Sequence, residues 1–213
     1  MLKASAQGDR GRGRSAVVRD QIVRAAVETL KKEGFAGTSA RAIARTGGFN
    51  QALIFYHFGS VKDLLLAALD ATSEQRMARY QNVVGQAASL EEMIGVARRI
   101  YAEDLASGHI RVLSEMVAGG LSDPDLGAEV AARLEPWIDF AQAALARVLS
   151  GTPLEALMPP VRALAFAVVA FYLGADLLSE LEGDRSRVER LFATASRLAP
   201  MVAPLLGKEA GKT

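Results

Sequence analysis

The sequence has no cysteine and only two histidines, His57 and His109. Disulfide frameworks, thiolate zinc sites and cysteine nucleophiles are therefore excluded, and a histidine-rich metal site with them. The chain also lacks G-x-x-x-x-G-K-[ST], G-x-S-x-G and H-E-x-x-H, so the common phosphate-loop, serine-hydrolase and zinc-protease chemistries have no foothold. Gly11-Arg12-Gly13-Arg14-Ser15-Ala16 fits a dinucleotide pattern in letters alone, since no strand precedes it. Glu91-Glu92 reads as a first helical turn rather than a catalytic carboxylate pair. No enzyme, no cofactor and no metal are expected. Long apolar runs are scarce as well. The longest, Ala163–Ala175, has thirteen residues, where a membrane span needs about 20. The first residues are polar and glycine-rich, unlike a signal core. No membrane association and a cytoplasmic location are the expectation.

What is present suits a folded protein. Half of the 213 residues are hydrophobic and 23% are charged, enough to build a core. The net charge of +1 conceals an asymmetry. Residues 1–62 hold eleven Lys/Arg against four Asp/Glu, a net +7, and the remaining 151 residues hold fourteen against twenty, a net −6. A basic first quarter on an acidic body points to a polyanion-binding module joined to a part with another task.

Almost every segment has helical period, and none alternates like a half-buried strand. Residues 1–15, with Gly8, Gly11 and Gly13 between Arg10, Arg12 and Arg14, read as a flexible basic arm. Val18, Ile22, Ala26 and Leu30 then mark an amphipathic helix over about 16–33, ended by Gly34. Short helices are predicted at about 39–46, ended by Gly47-Gly48, and at about 50–57, capped by Asn50. A longer one, capped by Ser60, covers about 60–82. Further helices follow from the Ser89–Glu92 capping box to about Ala106, from His109 to Val117 with Gly119-Gly120 as its stop, and from Asp123-Pro124 to about Leu149 with a bend at Pro136. Ser150–Pro153 is a connection, and the last two helices cover about 159–182 and 185–206. The fold class is all-α with about nine helices: a basic arm (1–15), a three-helix segment (16–62) and a helical body (63–213), which the motif and resemblance below make the expected DNA-binding domain and the expected regulatory and dimerisation domain.

Residues 38–58 carry a helix-turn-helix pattern. Ala44 is the small residue where two steeply crossing helices touch, and Gly48 tolerates the positive φ of the turn. Ile43, Phe49 and Ile54 would close the core between them. A second helix of about two turns is too short to persist alone, so its value lies in what it displays: Gln51, Ala52, Leu53, Tyr56 and His57. Gln51 suits base edges, and Ala52 and Leu53 suit thymine methyls. Tyr56, His57, Thr38 and Ser39 suit phosphate oxygens, with Arg41, Asn50 and Lys62 close in sequence.

With these residues in view, positions 18–69 resemble the DNA-binding domain of the TetR (tetracycline-repressor-like) family. The matching residues are Ile22, Ala25-Ala26, Leu30, Gly34-Phe35, Thr38-Ser39, Ile43-Ala44, Gly48, Phe55-Tyr56-His57-Phe58 and Leu64-Leu65. The resemblance covers about a quarter of the chain. Two positions depart from it. The family commonly has Ser-Lys at the start of the fourth helix, where this chain has Ser60-Val61-Lys62. A basic residue often follows the third-helix cap, where this chain has Gln51. Arg10, Arg12 and Arg14 could compensate from a neighbouring minor groove.

In the body, Ala163, Ala167, Ala170 and Gly174 form a small-residue stripe, while Leu164, Val168, Phe171 and Leu178 line another face. A helix apolar on both faces must be covered on both. Together with Phe171, Leu191 and Ala195, the stripe is the candidate dimer interface, because the resemblance implies pairing through the last two long helices. Met93, Tyr101, His109, Met116, Trp137 and Phe140 are candidate lining for a ligand cavity. These features describe a homodimeric repressor that binds a palindromic duplex operator and is released by a small molecule. Control by a protein partner or by concentration is the alternative. A helical enzyme tethered to DNA is the reading from another class, without a catalytic constellation to support it.

Overall fold

The computed structural model describes residues 5–87, 89–150, 152, 160–202, 204 and 207, with side chains from Ser15 onward. Among the described residues there are nine helices and no strand: α1 (Ser5–Gly37), α2 (Ala40–Gly47), α3 (Ala52–Phe58), α4 (Val61–Gly85), α5 (Leu90–Ser107), α6 (His109–Ser122), α7 (Pro124–Leu149), α8 (Val161–Glu182) and α9 (Ser186–Val202). The chain divides into two compact units. The first runs to Ser73 and includes Glu115–Val130; the second comprises Glu74–Ser114 and the chain from Ala131 onward.

The first unit is built on α1. Ile22, Ala25, Ala26, Thr29 and Leu30 recur at helical spacing and are all buried. The Thr29 hydroxyl donates to the Ala25 carbonyl at 2.7 Å and lies 2.9 Å from the Thr46 hydroxyl, which ties α1 to α2. Regular helix geometry is interrupted at Gly34, where φ is 72°. The Phe35 N–H, freed by that turn, donates to the Glu115 carboxylate at 2.8 Å. Leu64, Leu65, Ala68 and Leu69 of α4 point inward, as their spacing predicts.

Two expected boundaries move. α1 begins at Ser5, so residues 5–15 continue the helix instead of forming a flexible arm. Extending a helix that already exists is far easier than starting one, although Gly8, Gly11 and Gly13 each oppose it by about 1 kcal/mol relative to alanine. The second change concerns Gly119-Gly120, which do not end α6; it continues to Ser122. Their purpose is close approach. A Cβ on Gly119 would sit 2.6 Å from the Phe35 ring, and one on Gly120 would sit 2.9 Å from the Gly127 Cα. α7 is a single helix with Pro136 inside it. α9 ends at Val202, and Leu206, the expected end, lies outside the described residues, as do Gly151 and Pro153 of the expected connection.

The second unit holds small apolar clusters, such as Tyr101, Ile110, Ala175 and Val188, and Val84, Val96 and Ala144. α8 inverts the usual order of a surface helix. Its buried residues are Ala165, Ala175, Asp176 and Ser179, whereas Phe166, Phe171, Leu177, Leu178 and Leu181 are exposed. The stripe Ala163, Ala167 and Ala170 is exposed too. Leu178 therefore shares the uncovered side with that stripe, contrary to the expected division into a small-residue face and a large-residue face. α8 is also more apolar than its thirteen-residue run suggested. An 18-residue window has mean hydropathy 1.8, long enough to cross a membrane by length and composition, with 17% of it buried.

Candidate nucleic-acid interface and ligand cavity

The helix-turn-helix is assembled by local geometry. Ser39 Oγ accepts from the Ala42 N–H at 3.2 Å and caps α2. Gly48 takes φ 68° and returns its N–H to the Ala44 carbonyl. Gly47 must be glycine for a different reason: a Cβ there would lie 2.2 Å from the Phe49 ring and 2.8 Å from Ala25 Cβ. Ile43 and Ile54 are fully buried, and Phe49 is half-buried, so the small core forms as its sequence predicts. Asn50 Oδ1 accepts from the Ala52 N–H at 2.9 Å. This Asx contact caps α3 one residue ahead of the formal N-cap, Gln51, whose side chain makes no capping bond. Ser60 Oγ accepts from the Asp63 N–H at 3.0 Å and starts α4.

On α3 the structure exposes Gln51, Ala52 and Tyr56, while Leu53 and His57 are half-buried. Tyr56 is 81% exposed and meets the His57 ring edge-on at 4.9 Å. Phe55 is exposed beside them; it was not among the expected displayed residues, because a phenylalanine normally reads as core. Thr38 is half-buried and its hydroxyl donates to the Gly34 carbonyl at 2.6 Å. Ser39 and Arg41 are exposed. The side chains of Arg10, Arg12 and Arg14 lie outside the described residues.

Arg19 is a residue that the helix-turn-helix pattern does not single out. Its guanidinium donates to the His57 carbonyl at 2.9 Å and lies 4.1 Å above the Phe58 ring. One cation thus fixes the C-terminal end of α3 and stays exposed. Sequence offers no signal for it, because the acceptor is a backbone carbonyl 38 positions away. The positive field is also thinner than a count of basic residues implies. Arg45 pairs with Glu33 at 2.7 Å and Lys31 with Glu28 at 3.0 Å. Lys62, displaced by one position from the family pattern, lies 4.0 Å from Asp123 Oδ1.

A second candidate site lies within the second unit. A cavity of about 310 Å³ is walled by residues of α4 to α8, including Val84, Ile100, Leu113, Ala141, Ala144 and Val169, within the size range of small-molecule pockets. Of the expected lining residues, Met93, His109, Trp137 and Phe140 face it. Tyr101 does not: it packs with Ile110, Ala175 and Val188. Met116 is fully buried as a core residue of the first unit. Trp137 gathers the other rings, with Phe140 at 6.2 Å and Tyr80 and His109 each at 6.4 Å.

The polar end of the cavity was not foreseen. Asp104 is 2% exposed, and its carboxylate accepts from Tyr80 and Tyr172 and pairs with Arg76. Arg76 also donates to Tyr80 at 3.3 Å and to Ser107 Oγ. Burial raises the pKa of both phenols, most strongly that of Tyr172, and lowers that of Arg76. The sequence does hold a hint, since Asp104 sits in an α5 face otherwise made of Ile100, Tyr101 and Leu105.

Comparison with known proteins agrees with this geometry. Residues 22–68 match the family model of bacterial regulatory proteins, tetR family. The HTH-type transcriptional repressor NicS of Pseudomonas putida is 38% identical over 52 residues, which are 24% of this chain and 24% of that protein. The match thus spans about a quarter of the relative's length. Whole-chain likeness is structural. A TetR-family transcriptional regulator from Cytophaga hutchinsonii superposes with TM-score 0.69 at 17% identity, over 93% of this chain and 98% of that one. The transcriptional regulator FadR of Bacillus subtilis, described in complex with stearoyl-CoA, gives TM-score 0.66 at 16% identity, over 84% and 96%. Residues 22–68 thus match the helix-turn-helix region of the tetR family of bacterial regulatory proteins, within a fold of nine helices among the described residues that resembles solved structures of TetR-family regulators.

Proposed function

We propose that this protein is a homodimeric repressor that binds a palindromic duplex operator through α3 and is released by a small molecule held in the cavity of the second unit. One observation carries the DNA-binding part: Gln51, Ala52 and Tyr56 stand exposed on a seven-residue helix anchored by fully buried Ile54. Gln51 addresses a base edge, Tyr56 and Ser39 address phosphates, and Arg41 and Arg19 supply charge. Two copies place two such helices in successive major grooves, about 34–36 Å apart.

The uncovered face of α8 supports the dimer. Phe166 and Leu181 are exposed there while Asp176 is buried, an order that makes sense only if the apolar side is covered. Gly174 would meet nothing within 4 Å if it bore a Cβ, so nothing in the monomer requires a glycine there, whereas a partner helix approaching closely would. A second copy accounts for this face better than lipid does, because α8 carries buried Asp176 hydrogen-bonded to Ser114 at 3.1 Å.

The cavity favours a small ligand over control by concentration alone. A ligand that binds only the DNA-free conformer shifts the population away from the operator. Selection of bound duplexes from a random pool tests the central claim. Enrichment of a two-fold symmetric site is expected; a pool without enrichment overturns the reading.

A further inference from the structure

We infer that the cavity of the second unit selects a compact, uncharged aromatic molecule bearing a hydrogen-bond donor, a phenol in the simplest case, and rejects carboxylates. This rests on the reading of that cavity as an effector site and names the chemistry it would take.

Three features carry the inference. The first is size. About 310 Å³ accommodates a single substituted ring and falls well short of a long-chain thioester of coenzyme A. The second is the wall. No Lys or Arg faces the cavity among the described residues, so a carboxylate or phosphate would enter without a dedicated cation. Trp137 with Phe140 and Tyr80 instead offers ring edges and faces at 6.2 and 6.4 Å, the spacing that aromatic groups favour.

The third feature is the direction of the hydrogen bonds. At the polar end, the Tyr80 and Tyr172 hydroxyls both donate to Asp104, and burial keeps both phenols protonated. Arg76 is engaged by Asp104, Tyr80 and Ser107. The two phenol donors in the lining are therefore in use, Arg76 does not line the cavity, and the polar groups left at this end are acceptor oxygens of Tyr80, Tyr172 and Asp104. Lone pairs receive a hydroxyl proton and repel a carboxylate. His109 also lines the cavity, and histidine is the side chain whose ordinary pKa lies nearest neutral pH, so the test is run at two pH values.

Trp137 is the only tryptophan of the chain, and its fluorescence reports directly on the cavity. The full-length protein is titrated with para-butylphenol, para-butylanisole and para-butylbenzoate at about pH 6 and about pH 8. The phenol is expected to quench saturably and to bind at least tenfold more tightly than the other two at both values. Ala141→Leu and Val169→Phe, each placing bulk in the cavity wall, should abolish quenching while circular dichroism stays helical. Two fillers are used so that one poorly folded variant does not decide the matter. Equal binding of the anisole overturns the donor requirement. Equal binding of the benzoate, at either pH, overturns the rejection of anions; in both cases the cavity remains a ligand site. Quenching that survives both fillers overturns the location. No binding of any probe overturns the inference and the ligand-responsive reading together. If the phenol binds selectively but leaves DNA affinity unchanged, the inference stands and release by ligand falls.

Discussion

Among the helices that leave large apolar side chains uncovered, α3 and α8 differ most in what surrounds those side chains. α3 has seven residues and shows Phe55 and Tyr56 beside Gln51 and Ala52. α8 has twenty-two and shows Phe166, Leu177, Leu178 and Leu181 beside a row of alanines. The face of α3 mixes aromatic surface with hydrogen-bonding groups, which suits a hydrated, polar partner such as a DNA groove. The face of α8 offers almost no hydrogen bond and suits a dry contact with another protein surface. Exposure alone therefore does not identify a function; the polarity of the neighbouring positions does.

Breaking the α8 side should give the largest effect. Ala170→Glu sets a charge in the proposed dry contact, and an unpaired buried charge costs about 3–5 kcal/mol. Light scattering should fall from twice 22.6 kDa to 22.6 kDa, and specific DNA binding should weaken with it. A variant that stays dimeric would remove α8 from the interface.

Substitutions on α3 should be milder and should leave the mass unchanged. Gln51→Ala should relax preference at one base pair per half-site by about 1–3 kcal/mol, read by repeating the duplex selection. Tyr56→Phe should weaken all sequences alike, by about 0.5–1.5 kcal/mol for one hydrogen bond. Should Gln51→Ala leave the selected site untouched, the reading face would have to be reassigned, with Leu53 the next residue to test.

Smaller still are the electrostatic changes that sharpen the contrast. Asp123→Asn removes the acid 4.0 Å from Lys62 and keeps an acceptor for the Asp125 and Leu126 N–H groups that Asp123 now caps. DNA affinity should rise slightly, and the salt slope should steepen by up to about 0.9, the value of one phosphate contact. Deleting residues 1–14, which hold Lys3, Arg10, Arg12 and Arg14 against Asp9, should flatten that slope by up to about three contacts. Parallel salt titrations before and after the deletion would leave DNA binding to charges in the folded unit.

The two regions also differ in how far their sequences announce them. The turn through Gly48, the caps at Ser39, Asn50 and Ser60, and the inward positions Ile43 and Ile54 follow from neighbours within four residues. Local rules of spacing and capping suffice there. Arg19 on the His57 carbonyl and the cluster of Arg76, Tyr80, Asp104 and Tyr172 join residues 24 to 68 positions apart, and periodicity carries no information at that range. Tyr101 and Met116 show the same boundary. Both have the chemistry of cavity lining, and only tertiary packing assigns one to a buried cluster and the other to the first unit's core. Gly119-Gly120 look like a stop signal in one dimension and are a contact in three.

That contact has an evolutionary consequence. Because the Phe35 ring fills the space where a residue-119 side chain would begin, positions 35 and 119 do not vary independently. A lineage that acquires alanine or serine at 119 must already have, or soon gain, a smaller residue at 35. Among relatives of this chain the two sites should therefore trade volume, large with small, as if they were one position written in two places.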